Sequence, residues 1–125
     1  MAVVCMGCVD AFAPPVGAYR FDPPLAYRAA WQYVEECSGL RGNLFRVRWY
    51  AVPQDTFPCG EGRTCLGVWN APHDIYVTEA ARDDSAGQYL TVRHEMLHDL
   101  LGGGGSNGEA HPPVFVECGL MRTSD

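Results

Sequence analysis

Apolar residues recur at helical spacing between Leu25 and Cys37, and Gly39 follows the run. Intervals of three and four residues place such side chains on one face of a helix. A glycine just beyond the run suits the left-handed backbone that ends many helices. The pattern therefore predicts an amphipathic helix over residues 25–37. Its expected buried face consists of Leu25, Ala29, Ala30, Tyr33, Val34 and Cys37.

Three segments in the middle of the chain have the composition of β-strands. Residues 44–52 alternate between apolar and polar types, which predicts a half-buried strand. Residues 66–69 and 75–78 are shorter apolar runs joined by a proline-containing turn, which predicts a hairpin. The prolines near the N-terminus predict an irregular arm over residues 1–24. No repeat or second domain is visible, so residues 1–125 are interpreted as a single domain.

A second long helix is predicted to begin at Ser85, which is a favoured N-cap residue. Gln88 stands three residues later, as in a capping box. Apolar residues continue at helical spacing to Leu101, and the glycines at 102–105 are expected to end the helix. Pro112 predicts the first turn of a short further helix, since proline is favoured there.

This second helix contains a candidate metal site. His94, Glu95 and His98 form the pattern H-E-x-x-H. Histidines four residues apart project from one helical face, so they can share a metal ion. The glutamate between them stands at the flank, where it can reach a water on that metal. Zinc suits the pattern because it accepts neutral imidazole nitrogens and leaves a position for water.

A catalytic zinc usually takes three protein ligands, so one ligand must come from outside the helix. We expect this third ligand to be His111, because the glycines within residues 102–108 allow the chain to reverse direction. Glu109 and Glu117 are the alternatives. Asp99 directly follows the second histidine of the motif and is expected to point away from the metal.

Two other features have a catalytic and an ordinary interpretation. His73 precedes the strand at 75–78, where it could polarise a substrate or be a surface histidine, and the second interpretation is favoured. The glycine run could suggest a phosphate-binding loop. However, it follows a helix instead of opening one, and it lacks the lysine of a P-loop.

The composition argues against two broad classes of function. The formal net charge of the 125-residue chain is -6, whereas nucleic-acid binding needs clustered lysines and arginines. Arg41, Arg46 and Arg48 form only a small basic group, which is interpreted as a solvated strand face. No apolar run approaches the roughly 20 residues needed to cross a membrane. Neither a nucleic-acid partner nor a transmembrane segment is therefore expected. The H-E-x-x-H motif instead favours a peptide or protein substrate as the partner.

Six cysteines in so short a chain favour an oxidising compartment. Cys59 and Cys65 bracket a turn-rich stretch, which predicts a short-loop disulfide between them. The pairing of the other four cysteines stays open, and a reduced cytosolic protein with buried thiols is the alternative. We expect an extracytoplasmic protein, either secreted or periplasmic. Anchoring through a removed N-terminal segment stays open as well.

Two motifs resemble the zincin metallopeptidases, and in particular the small SprT-like group. Residues 94–101 read H-E-M-x-H-x-L-L, and residues 111–115 read H-x-P-x-F. The stretch from His94 to Phe115 that contains both motifs covers about a fifth of the chain. The extended metzincin pattern is absent, because the glycine and the third histidine that it requires do not follow His98 at the required spacing.

The resemblance implies a zinc site and its chemistry. It implies that His94, His98 and His111 bind zinc. It also implies that Glu95 is the general base and that Phe115 packs beneath the site. SprT-like proteins that act on DNA-bound substrates use basic regions, whereas this chain is acidic. Their role at DNA is therefore not carried over.

These observations predict an α+β, zincin-like domain. A small mixed or antiparallel sheet would pack on the N-terminal helix and on the H-E-x-x-H helix. A strand at 66–69 or 75–78 could hold an extended peptide by strand addition. The expected function is a zinc-dependent endopeptidase. The alternatives are a non-catalytic zinc-binding or interaction module and a domain in which the motif is accidental.

Overall fold

A computed structural model describes residues 12–60, 62–103 and 111–121. The helices in this part of the chain are α1 (Ala26–Ser38), α2 (Glu79–Arg82), α3 (Leu90–Leu101) and α4 (Val114–Glu117). The strands are β1 (Tyr19–Phe21), β2 (Arg48–Val52), β3 (Phe57–Pro58), β4 (Thr64–Cys65), β5 (Gly67–Asn70) and β6 (Asp74–Thr78). The predicted α+β class is confirmed. None of the helices in these ranges is long and apolar enough to cross a membrane.

The main sheet is mixed and has the strand order β1-β2-β6-β5. Strands β2 and β6 run parallel, with Trp49 opposite Ile75, while the two outer pairs are antiparallel. Strands β5 and β6 form the predicted hairpin, and β5 is the last strand of the sheet. The short β3–β4 ribbon is closed by the predicted Cys59–Cys65 disulfide, which is therefore confirmed.

The two faces of the sheet cover different clusters, because successive side chains of a strand point in opposite directions. Trp49, Ile75 and Val77 face a core that includes residues of α1, α3 and α4. Tyr76 and Val52 belong to a second cluster with Phe57 and with the partly buried cysteines of β3–β4. Helix α3 contacts α1, β5 and β6, so it lies between the first helix and the edge of the sheet.

Helix α1 has the predicted span, but its buried face is different. Gly39 ends it with a left-handed φ of 78°, as expected. Its buried residues are Tyr27, Ala30, Trp31 and Val34. Leu25 is 74% exposed instead. The large aromatic side chains determine the face, since each buries more apolar area than an alanine. Burial raises the pKa of Tyr27, whose hydroxyl donates a hydrogen bond to the Arg82 carbonyl.

The predicted strand over 44–52 forms only in its second half. Residues Leu44–Arg46 form a 3₁₀ turn, because the Asn43 side chain accepts a hydrogen bond from the backbone N–H of Phe45. This turn leaves Phe45 exposed. Arg48 at the start of β2 remains exposed, and its Nε donates to Asp74 at 2.6 Å, which raises the pKa of Arg48.

The N-terminal arm is not irregular throughout. Residues 19–21 form β1, which pairs with β2 and places Phe21 opposite Trp49. The prediction over residues 1–24 is therefore wrong for this segment, because pairing with a neighbouring strand outweighs the nearby prolines. The first eleven residues, with Cys5 and Cys8, lie outside the described ranges.

The predicted start of the second long helix is also wrong. Helix α3 begins at Leu90 and not at Ser85, because Gln88 and Tyr89 have left-handed φ angles of 57° and 55°. A short helix, α2, precedes this break, and the Thr78 side chain caps it by accepting from the Ala81 N–H. The C-terminal end of α3 agrees with the prediction, since Gly102 follows it with a left-handed backbone.

Candidate metal centre

Helix α3 places His94 and His98 side by side in a buried position. The two side chains stand one helical turn apart, and their ring centroids are separated by 5.0 Å. Both residues are buried, with exposures of 6% and 4%. Two imidazoles with so little access to solvent are expected to have polar partners or to bind a metal.

His111 joins these two residues, as the sequence predicts. Its Nε2 atom lies 3.1 Å from Nε2 of His94. The ligand atoms of the three histidines all lie within 4.8 Å of one another, so the group could hold a metal ion. Glu117 is exposed on α4 and does not belong to the group. Glu109, the other alternative ligand, lies outside the described residues.

The nitrogen spacing suits a small ion that prefers imidazole ligands. Two nitrogens on a tetrahedral zinc, each about 2.0–2.1 Å from the ion, lie about 3.3 Å apart. The separation of 3.1 Å between His94 and His111 is close to this value. Three neutral imidazoles are a typical ligand set for a catalytic zinc. The donor atoms therefore fit zinc, although similar nitrogen sets also bind other divalent metals.

A backbone carbonyl orients the first of the three rings. Nδ1 of His94 lies 2.6 Å from the carbonyl oxygen of Leu120. Because a carbonyl oxygen only accepts, the proton of this bond is on Nδ1, which leaves the lone pair of Nε2 directed toward His111. Outer partners of this kind fix the tautomer and the orientation of metal-binding histidines. Nothing in the sequence alone marks Leu120 for this role, since its contribution comes from the backbone.

Phe115 forms the floor of the histidine group. Its ring centroid lies 4.8 Å from that of His94 and 4.7 Å from those of His98 and His111. Phe115 itself is completely buried. This placement agrees with the position that the family resemblance implies, and it limits the side from which water can reach the rings.

Glu95 stands at the flank of the histidine pair on α3, against the edge strand. The residue is 5% exposed. A Cβ atom at Gly67 of β5 would lie only 3.0 Å from Cγ and 3.2 Å from Oε2 of Glu95. The same atom would lie 2.8 Å from Cγ2 of Thr91. The carboxyl group is thus held between the histidine-bearing helix and the backbone of β5.

Asp99 lies one turn beyond Glu95 and also faces β5. Its Oδ1 accepts a hydrogen bond from the indole N–H of Trp69 at 2.9 Å and lies 2.8 Å from Nδ1 of His73. Asp99 is 1% exposed. The expectation that it points away from the metal ligands agrees with this placement. His73 is therefore more than a surface histidine, because it is bonded to a buried carboxylate.

A second disulfide joins the segment that carries His111 to α1. It links Cys37, at the end of α1, to Cys118, which follows α4 directly. The hydroxyl of Tyr33 donates a hydrogen bond to the carbonyl of Cys118 at 2.8 Å. Helix α1 therefore holds Cys118 by a covalent bond and by a hydrogen bond. Sequence reasoning left this pairing open, because the two cysteines are 81 residues apart and carry no local pattern.

We compared the chain with models of protein families, with curated proteins and with solved structures, and no match was found.

Proposed function

We propose that this protein is a zinc-dependent peptidase in which Glu95 is the general base. The observation that carries the proposal is the convergence of three histidine ligand atoms within 4.8 Å of one another, next to a buried glutamate on the same helix. A resemblance to zincin peptidases, and most closely to the SprT-like group, supports the same assignment. His94, His98 and His111 would hold the ion.

In the proposed reaction, the zinc ion and the residues of the chain have different roles. When bound, zinc supplies a Lewis acid that polarises the scissile carbonyl and lowers the pKa of the attacking water. Glu95 would accept the proton of that water and would then pass it to the leaving amine. The carboxyl group acts from a fixed position, because β5 confines it at Gly67. Phe115 and the core beneath it exclude water from the far side of the imidazoles.

Strand β5 supports a polypeptide as the substrate. It ends the sheet and contacts α3 beside Glu95. An extended peptide that pairs with β5 would run along the helix that bears the histidines, and its backbone would pass the general base. This arrangement favours endopeptidase action on protein or peptide substrates, because the strand contacts do not require a chain end.

The disulfides are typical of an oxidising compartment outside the cytoplasm. We propose on this basis that the protein is secreted or periplasmic.

A non-catalytic zinc-binding or interaction module is the main alternative. A closed structural site would have four protein ligands, whereas a catalytic zinc keeps a position for water. The group formed by the described residues has three histidines, which is the ligand number typical of a catalytic zinc.

The test combines zinc content with hydrolysis of unfolded casein. Glu95→Gln keeps the shape of the side chain but removes the base. We expect this variant to retain one zinc per chain while hydrolysis falls by a factor of about 10²–10⁴. The matched control is Glu36→Gln, at an exposed position on α1, which should retain wild-type activity.

Each other outcome has a distinct meaning. Full activity of Glu95→Gln would contradict the proposed mechanism. Stoichiometric zinc without hydrolysis by the wild-type protein would favour the non-catalytic module. Purified protein that binds no zinc at all would contradict both functions and would make the motif accidental.

A further inference from the structure

We propose that the Cys37–Cys118 disulfide positions the third zinc ligand, so that its reduction weakens zinc binding. The inference rests on the proposed function only in requiring that the three histidines bind zinc. It assigns a role to Cys37 and Cys118, which belong neither to the H-E-x-x-H motif nor to the proposed mechanism.

The segment 111–121 supplies three parts of the metal centre. His111 provides a ligand nitrogen, Phe115 packs against the imidazoles, and the Leu120 carbonyl orients His94. The only regular element in this segment is α4, which has four residues. A helix of one turn is unstable by itself, so the segment depends on its contacts for a defined position.

Helix α1 provides the covalent contact. Cys118 is bonded to Cys37, and its carbonyl accepts the hydroxyl hydrogen of Tyr33. Leu120 stands two residues beyond Cys118 and is 2% exposed. A shift of the backbone at Cys118 would therefore move the carbonyl that bonds His94. It would also disturb Phe115, on which all three rings rest.

A reductant can approach this bond from the α1 side. Cys37 is exposed, although Cys118 is buried. Two molecules of glutathione would donate two electrons and two protons in successive thiol–disulfide exchanges. The products are the thiols of Cys37 and Cys118 and one molecule of oxidised glutathione, which balances the reaction.

Thermodynamic linkage makes the effect reciprocal. If the closed disulfide raises the affinity for zinc by some factor, bound zinc must favour the closed disulfide by the same factor. Removal of an outer partner of a metal ligand typically lowers metal affinity by a factor of about 10–100. We expect a change of this size between the oxidised and reduced forms.

The Cys59–Cys65 disulfide provides a matched control within the same chain. It closes the β3–β4 ribbon, whose cysteines pack in the cluster on the face of the sheet opposite to the core of α3. The experiment compares Cys37→Ser/Cys118→Ser with Cys59→Ser/Cys65→Ser. Zinc affinity is measured by competition with a chelator, and circular dichroism verifies the fold of each variant.

We expect zinc to bind about 10–100-fold more weakly when the 37–118 pair is removed, and with nearly wild-type affinity when the control pair is removed. Equal affinities in the two variants would overturn the inference while leaving the proposed function intact. Failure of the wild-type chain to bind zinc would overturn the proposed function together with this inference.

A second measurement uses the wild-type chain, in case the first variant does not fold. Glutathione buffers of graded ratio are applied with and without saturating zinc, and mass spectrometry after alkylation reports each cysteine pair. Zinc should shift the equilibrium of Cys37–Cys118 toward the disulfide by about 10–100-fold and leave Cys59–Cys65 nearly unchanged. An equal shift of both disulfides would indicate general stabilisation of the fold and would overturn the inference.

Discussion

Gly67 leaves the space that the Glu95 side chain occupies. A side chain at this position would meet Thr91 at 2.8 Å and Glu95 at 3.0 Å. Contacts below 3 Å between carbon atoms require one partner to move, and tightly packed interiors resist such shifts. In the proposed mechanism Gly67 is thus a positioning residue, which would act on hydrolysis through the location of the Glu95 carboxyl group.

We predict that Gly67→Ala separates zinc binding from hydrolysis. The added methyl group displaces Glu95, and a displacement of about 1 Å can reduce the rate by about 10²-fold. The three atoms nearest to the added methyl group belong to Thr91 and Glu95 and not to a histidine, so zinc affinity should stay close to the wild-type value. Casein hydrolysis and chelator competition measure the two quantities.

Thr91→Ser provides the companion variant, because it removes the Cγ2 atom nearest to the added methyl group. In the Gly67→Ala background it should restore part of the lost hydrolysis. Unchanged hydrolysis by Gly67→Ala alone would show that the contact with Glu95 has no effect on the reaction.

At the scale of elements, Asp99 connects the β5–β6 hairpin to α3. Its carboxylate accepts a hydrogen bond from the indole N–H of Trp69 in β5. It is also hydrogen-bonded to the imidazole of His73 in the turn that follows. A buried carboxylate is costly unless hydrogen bonds compensate for its lost hydration. These two bonds therefore fix the end of the hairpin to the helix that carries His94 and His98.

We predict that Asp99→Asn lowers the free energy of unfolding by about 1–3 kcal/mol. Both hydrogen bonds are accepted by the same oxygen, Oδ1, which the amide retains. The amide removes the negative charge, however, so both bonds become weaker. Urea unfolding of the zinc-free protein measures the change without a contribution from the metal. Asp55→Asn, at an exposed position, is the control, and an equal effect of the two substitutions would contradict the assigned role of Asp99.

The helices and strands also show which structural features could be predicted from the sequence pattern. Gly39 and Gly102 mark the ends of α1 and α3 correctly, because a left-handed residue is a local requirement. The predicted start of α3 at Ser85 is wrong. Ser85 has a favourable capping pattern, but the left-handed backbone at Gln88 prevents a continuous helix from that residue. Strand β1 was missed because it depends on pairing with β2, which is a long-range contact.

At the scale of the whole molecule, the candidate metal centre combines a local motif with a segment distant in sequence. His94, Glu95 and His98 could be predicted because helical spacing places them together. His111 could be proposed from the number of ligands that zinc requires, and the structure brings it into the histidine group. The Leu120 carbonyl and the bond to Cys37 could not be predicted, since both depend on the packing of α1 against the segment at 111–121.

The central claim is that three histidines hold one zinc ion beside a general base. The most direct test is a crystal structure of the zinc-loaded protein with anomalous diffraction recorded at the zinc edge. We predict one anomalous peak about 2.0–2.1 Å from nitrogens of His94, His98 and His111, with a coordination position that no protein atom fills. A peak at other residues, or a fourth protein ligand that closes the site, would contradict the account.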